Sequence, residues 1–234
     1  MKNDLKKTFN LDFIWQYLAN KRAKYDHEKI FTKIIRKNIW EGKESVSGPG
    51  SNLEQTKIIR EAIGQLIKDL KVFRMLDIPC GDFHWMKHVD LNNVKYIGAD
   101  IVKSLIRKNT DTYGKREGVS FRLLNLINDP LPKADLILCR DCLVHFSFHD
   151  IFLALKNICQ SDSTFLLTTN FPEHKINNDI NTGKWRFLNL NSPPFNMPAP
   201  ILTINEGCTE REKAKDKSLS LWKIDSIKKS LNIS

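Results

Sequence analysis

The sequence predicts an α/β fold: a seven-stranded, mostly parallel sheet with helices on both faces and a helical cap at the N-terminus. Three observations point there. Short apolar runs recur at about 73–78, 94–99, 119–124, 134–139 and 163–169. The segments between them are long enough for crossover helices, the βαβ pattern of a parallel sheet. Two further runs, Ile201-Leu202-Thr203-Ile204 and Ser218-Leu219-Ser220-Leu221-Trp222-Lys223-Ile224, add a terminal pair, the second alternating as a half-buried strand does. Finally, 234 residues suffice for one sizeable core, so residues 1–234 are expected to form a single domain.

Taken in order, residues 1–50 supply the cap and a loop. Phe13, Ile14, Tyr17 and Leu18 share one helical spacing, and Ile30, Ile34 and Ile35 another. Ser47-Gly48-Pro49-Gly50-Ser51 is a loop signature, directly followed by a helix with Ile59, Ala62, Ile63, Leu66, Ile67 and Leu70 on one face. Residues 51–170 carry the alternating core. Residues 171–200 are rich in Asn and Pro and show neither period. A long structureless stretch inside a compact domain is usually functional, which places 171–234 on the substrate side, as a loop and the terminal strands.

Composition narrows the classes. Hydrophobic residues make up 41% and charged residues 27%, and no apolar run nears the roughly 18 residues of a membrane span. The start, Met1-Lys2-Asn3-Asp4-Leu5-Lys6-Lys7, is charged and does not read as a secretion signal. Among five cysteines, Cys80, Cys139 and Cys159 lie in or beside apolar segments, which fits free thiols in a reducing cytoplasm. The net charge of +10 suggests an anionic partner, but the lysines are scattered and no arginine-rich block with interleaved aromatics stands out. A nucleotide-linked sugar or phosphorylated intermediate is therefore favoured over nucleic acid. Cys139, Cys142, His145 and His149 mimic zinc-ligand spacing but crowd together where zinc fingers separate their pairs by about a dozen residues, so no metal is expected.

The strand at 72–76 ends in Asp77-Ile78-Pro79-Cys80-Gly81-Asp82-Phe83, an acidic residue and a tight turn before a helix. The next strand ends in Asp100, twenty-three residues beyond Asp77, about where a carboxylate bonds ribose hydroxyls. The third puts Asn125 at its end, where an amide can bond an adenine edge. Each piece has a plainer reading: lone glycine turns are common, and a strand-terminal Asp can cap a helix. Their order on consecutive strands is what points to one Rossmann-like nucleoside crevice. The 47–51 loop offers backbone N–H groups to a carboxylate at a helix N-terminus, with Arg60 on that helix; it also reads as a plain cap.

Through Leu76-Asp77-Ile78-Pro79-Cys80-Gly81, Gly98-Ala99-Asp100-Ile101, Asn125-Leu126 and Asp135-Leu136-Ile137-Leu138-Cys139-Arg140-Asp141, the chain resembles class I S-adenosylmethionine-dependent methyltransferases. The resemblance departs at the turn, where Pro79 and Phe83 replace two of three glycines while Gly81 remains. It implies S-adenosylmethionine as cofactor, with Asp100 on the ribose, Asn125 and Leu126 at the adenine, Ile101 beside Asp100, and the 77–81 turn at the methionine end. Ser47, Gly50, Ser51, Arg60 and Arg140 are added as candidate cofactor contacts.

Methyl transfer to an alcohol needs alignment of the acceptor and removal of its proton. Arg140-Asp141-Cys142-Leu143-Val144-His145 lies at the carboxyl edge of the fourth strand, so Asp141 and His145 are the candidate bases, though a His there can equally be a packing residue. His84, Trp85, Asn170, Glu173, Trp185 and Arg186 are the candidate substrate contacts, Trp185-Arg186 as a sugar-stacking and anion-binding pair. Ser192-Pro193-Pro194-Phe195 is similar to the tetrapeptide of adenine methyltransferases but lies beyond the fifth strand, not the fourth. The loop at 47–51, Cys80-Gly81-Asp82-Phe83 and Asn205-Glu206-Gly207-Cys208 resemble bacterial methyltransferases of surface-polysaccharide gene sets. That implies O-methylation of a sugar in capsular or other surface-polysaccharide biosynthesis. The alternatives are an RNA or other nucleic-acid methyltransferase and a catalytically inactive cofactor-binding partner subunit.

Overall fold

A computed structural model describes residues 26–210 and 212–233. The expected helical spacing at Phe13 to Leu18 lies outside the described residues. In chain order the elements are α1 (His27–Arg36), α2 (Lys57–Asp69), β1 (Arg74–Asp77), β2 (Lys95–Asp100), α3 (Lys103–Tyr113), β3 (Val119–Leu123), β4 (Leu136–Cys139), α4 (Phe148–Gln160), β5 (Phe165–Asn170), β6 (Leu202–Asn205), β7 (Ser218–Lys223) and α5 (Ile224–Ser230).

The seven strands form one sheet in the order β3-β2-β1-β4-β5-β7-β6. The first five are parallel, and β7 runs antiparallel to both β5 and β6. This is the Rossmann-like sheet that the apolar runs predict. Each strand of the centre is buried on both faces, most completely β4, whose Leu136, Ile137, Leu138 and Cys139 are all at 0% exposure. Strand alternation splits the core in two. Leu76, Ile137 and Leu166 face α4 and α5, which supply Ile151, Leu155 and Ile227. Met75, Leu136 and Leu167 face α2, which buries Ile59, Ile63, Leu66 and Ile67, each contributing about 1.5–3 kcal/mol by leaving water.

Two local expectations change. The helix after the 47–51 loop does not follow it directly: a 3-10 turn spans Pro49–Ser51 and α2 begins only at Lys57, so the loop is not the N-terminus of that helix. The long segment 171–200 is irregular, as expected, yet much of it is core, because Phe171, Leu188, Leu190, Phe195 and Met197 pack on the α4 face. Asparagine amides replace the missing backbone ladder. Asn177 donates to the carbonyls of Asn189 and Pro193, Asn189 to those of Pro172 and His174, and Asn191 to that of Pro198, at 2.8–3.0 Å. No helix among the described residues is long and apolar enough to cross a membrane.

Candidate active site

At the carboxyl ends of β1 to β4 the chain leaves an open cleft of about 940 Å³, its solvent-facing mouth included, floored by strand-end turns and roofed by α1 and Trp40. The 77–81 turn is pinned from both sides. The N–H of Cys80 donates to the Ala99 carbonyl at 2.8 Å, the N–H of Gly81 to Asp100 Oδ2 at 3.1 Å, and Asn109 Nδ2 of α3 to the Gly81 carbonyl at 2.8 Å. Gly81 has φ +55°, and a Cβ there would lie 2.2 Å from Ser47 Oγ, so any larger residue would carry both backbone strain and a clash. Phe83, where a glycine is usual in the family it resembles, takes φ +58° and is held by edge contacts with Tyr113 and Phe121 and a tilted contact with Tyr96. An aromatic cluster thus fixes the turn instead of glycine permissiveness.

Three carboxyls border this cleft: Asp77, Asp100 and, at its far end, Asp141. Asp77 is buried and accepts the Tyr96 hydroxyl at 2.6 Å; loss of solvent drives it up to about 7. Asp100 accepts the N–H of Val102 at 2.8 Å as well as that of Gly81, and burial outweighs these bonds to bring it to about 6. Asn125 uses Oδ1 to accept the N–H of Ile127 at 2.9 Å, an Asx turn that leaves Nδ2 for a ligand.

The predicted residues sort cleanly. Ser47, Ser51, Asp77, Pro79, Cys80 and Gly81 border the cleft, and so do Trp85, Asp100, Ile101, Asn125 and Leu126. Arg140, Asp141 and His145 close its far end. Gly50 lines instead a second hollow of about 1200 Å³ that shares Trp40, Ser47, Asp141 and His145 with the cleft. Trp185 lines that hollow too, together with Phe171, Glu210 and Lys217.

Five expected contacts lie elsewhere. Arg60 borders a separate groove and donates Nη2 to the Leu53 carbonyl at 2.9 Å, because α2 turns that face outward. His84 points to Glu44, 3.4 Å away, outside the cleft. Asn170 is fully buried and works for the fold: its Oδ1 accepts the N–H of Leu190 and its Nδ2 donates to Asn191. Glu173 is exposed at the start of the long segment, its N–H donating to Asp216. Arg186 is buried beneath the segment, donating to the Val144 carbonyl at 3.1 Å with its guanidinium over the Phe148 ring; burial lowers it to about 10.

At the far end of the cleft and behind it, four buried or half-buried charges interlock. Arg140 stacks on Trp85, donates Nη2 to Glu206 Oε2 at 2.6 Å and to the Gly50 carbonyl at 2.8 Å, and approaches Asp141 at 3.3 Å. Lys217 lies 2.6 Å from Asp141 and 3.5 Å from Glu206. Burial would raise the Asp141 carboxyl, but Lys217 and Arg140 outweigh it and hold it at about 2. Sequence reasoning missed Glu206, Lys217, Asn109 and Asp82. The last anchors the 47–51 loop, its carboxylate accepting Ser45 Oγ at 2.9 Å and the N–H of Val46 at 3.0 Å.

His145 differs from Asp141. Its Nδ1 sits 2.9 Å from the Lys184 carbonyl, which can only accept, so the ring proton is on Nδ1 and Nε2 keeps its lone pair. Burial, which outweighs that bond, lowers it to about 4 and keeps it neutral near pH 7. The roof is tied by His27 Nε2, 2.9 Å from Asp150 Oδ2, a carboxylate that also accepts the Thr182 hydroxyl.

No family model matches the chain, and no curated protein matches its sequence. Among solved structures it is similar to magnesium protoporphyrin IX methyltransferase (ChlM) from Synechocystis PCC 6803 with bound SAM, at 12% identity and TM-score 0.54, covering 86% of this chain and 99% of that one. It is also similar to the methyltransferase domain of bacterial CtHen1-CN, at 11% identity and TM-score 0.53, over 74% of this chain and 100% of that one. Human N-acetylserotonin methyltransferase in complex with SAM aligns at 16% identity and TM-score 0.39 over 59% of this chain, which spans 48% of that protein's length. At such identities the first two likenesses establish the Rossmann-like fold.

Proposed function

We propose that this chain is a methyltransferase that uses S-adenosylmethionine and methylates a sugar hydroxyl in the making of capsular or other surface polysaccharide. One observation carries the reading: three consecutive strand ends bring Gly81, Asp100 and Asn125 to one cleft, which meets a second hollow at His145. The fit is chemical. Asp100 has acceptor capacity for ribose hydroxyls beyond its two backbone bonds, and Asn125 Nδ2 suits an adenine ring nitrogen. Asp77 and the bare backbone of Gly81 suit the ammonium and the close approach of a methionine moiety. The solved magnesium protoporphyrin IX methyltransferase of this fold, with SAM bound, supports the same cofactor. The five buried free thiols suit a cytoplasmic setting.

S-adenosylmethionine, when bound, supplies a methyl group activated by a sulfonium for in-line displacement. His145 then serves as general base: its tautomer is set by Lys184, and its Nε2 lone pair can take the hydroxyl proton as the oxygen attacks. Asp141, held by Lys217, is too weak a base for that task and instead stabilises the imidazolium that forms. Trp40 and Trp185, both lining the second hollow, exclude water from the proton transfer and offer faces to a pyranose ring.

Calorimetry with S-adenosylmethionine and S-adenosylhomocysteine tests the cofactor, and labelled cofactor incubated with nucleotide-linked sugars tests the acceptor. Absence of binding by either nucleoside ends the proposal. Label appearing in RNA and not in sugar would redirect it to nucleic acid.

A further inference from the structure

The second hollow has a charge opposite to that of the chain around it. The protein carries +10 overall. The charged side chains bordering the hollow are Glu41, Asp141, Glu210 and Lys217, beside the neutral His145 and Cys208. Lys217 is already answered twice, by Asp141 at 2.6 Å and Glu206 at 3.5 Å. Glu41 and Glu210 have no ion pair among the described residues, and although Arg140 feels Glu210 through space, the carboxylates bordering the hollow outnumber its one bordering lysine.

Glu210 is the better placed of the two. A Cβ added at Gly50 would come 3.1 Å from Glu210 Oε2, 3.4 Å from Lys217 Nζ and 3.5 Å from Asp141 Oδ2, so the three groups converge on one glycine. Cys208 Sγ donates weakly to Glu210 Oε2 at 3.9 Å. Trp40, Trp185 and Phe171 give the same hollow an aromatic part to its lining. Aromatic faces stack on the C–H face of a pyranose, and a carboxylate accepts from its hydroxyls or from an ammonium group. A second carboxylate or a phosphate in the same space would face Glu210 and Glu41, while Lys217, the lysine bordering the hollow among the described residues, is already paired.

We propose that Glu210 sets the choice of acceptor in this hollow, admitting a neutral or amine-bearing sugar ring and turning away an acidic or phosphorylated one. This rests on reading the hollow as the acceptor side of a methyltransferase. A nucleotide-linked acceptor would keep its diphosphate outside the hollow.

The test uses the full chain and ligand-observed NMR to obtain dissociation constants for the methyl glycosides of glucose, glucosamine and glucuronic acid, with and without S-adenosylhomocysteine. The first two should bind at least about tenfold more tightly than the glucuronide. Glu210→Gln should narrow that gap and Glu210→Lys should reverse it, each with an unchanged melting midpoint. Equal or tighter binding of the glucuronide, an unchanged order in Glu210→Lys, or no binding of any of the three overturns the proposal. Failure of S-adenosylhomocysteine to bind would sink the cofactor reading instead, and the sugar ranking measured without it still decides the role of Glu210.

Discussion

The indole of Trp40 stacks on the imidazole of His145, with ring centroids 4.7 Å apart and planes inclined by 30°. Trp40 follows α1, so the roof of the cleft itself sets the medium around the proposed base. Phe31 of α1 extends the contact, packing on both Trp40 and Phe146.

Trp40→Ala should therefore let water reach His145 and raise its pKa from about 4 toward the ordinary 6.5, read by NMR titration of the ring. An unmoved pKa would show that the stack does not shield the ring. His145→Asn should lower turnover by about 10²–10⁴ while leaving S-adenosylhomocysteine affinity within a few fold.

At Gly81, alanine would need φ +55° and would meet Ser47 Oγ. Gly81→Ala should cost about 1–2 kcal/mol in urea unfolding and weaken S-adenosylmethionine at least about tenfold by calorimetry. Adding Ser47→Gly should restore only part of the loss, since it removes the clash and not the backbone strain. Full restoration would assign the effect to the clash alone.

Protonation of Asp77 links pH to both binding and stability. Its folded pKa is about 7 against an ordinary 3.8, so its contribution to stability is fully present below 3.8 and is lost as pH rises through 7. Wild type should lose on the order of 3 kcal/mol more than Asp77→Asn between pH 4 and 8. An ammonium placed beside Asp77 would favour the charged form, so cofactor binding near pH 7 should release protons. Calorimetry in buffers of different ionisation enthalpy reads this directly, and proton uptake or none would contradict it. The depressed His145 acts in the other sense: its contribution is present above 6.5 and is lost as pH falls through about 4.

Glu206→Gln should destabilise the fold by about 3–5 kcal/mol in chemical denaturation, because it leaves Arg140 and Lys217, both at most 6% exposed, with Asp141 as their remaining ion-pair partner among the described residues. The double change Arg140→Met with Glu206→Leu should recover part of that loss. A single-variant cost under about 1 kcal/mol would show that the pair is dispensable.

What the sequence revealed was local. Asp77, Gly81 and Asp100 could be placed because a strand end and its turn are adjacent in the chain, and burial of β4 on both faces wrote a continuous apolar run. What it hid was distant. Glu206 and Lys217 lie 66 and 76 residues from their partners Arg140 and Asp141, and nothing in the spacing signals a buried ion pair. Asn170 and Arg186 read as substrate contacts in the sequence for a related reason. Side chains bonding to backbone hold the 171–200 segment, a pattern without period, so its polar residues resemble exposed recognition groups although several are core.

The two sides of the second hollow answer differently to solution conditions. Asparagine carboxamides stitch the segment that carries Phe171 and Trp185, and they neither titrate nor respond strongly to ionic strength. The Arg140–Glu206–Lys217–Asp141 side is electrostatic. Strong acid should loosen that side first, widening the hollow toward Gly50 while the tryptophan-bearing rim keeps its shape.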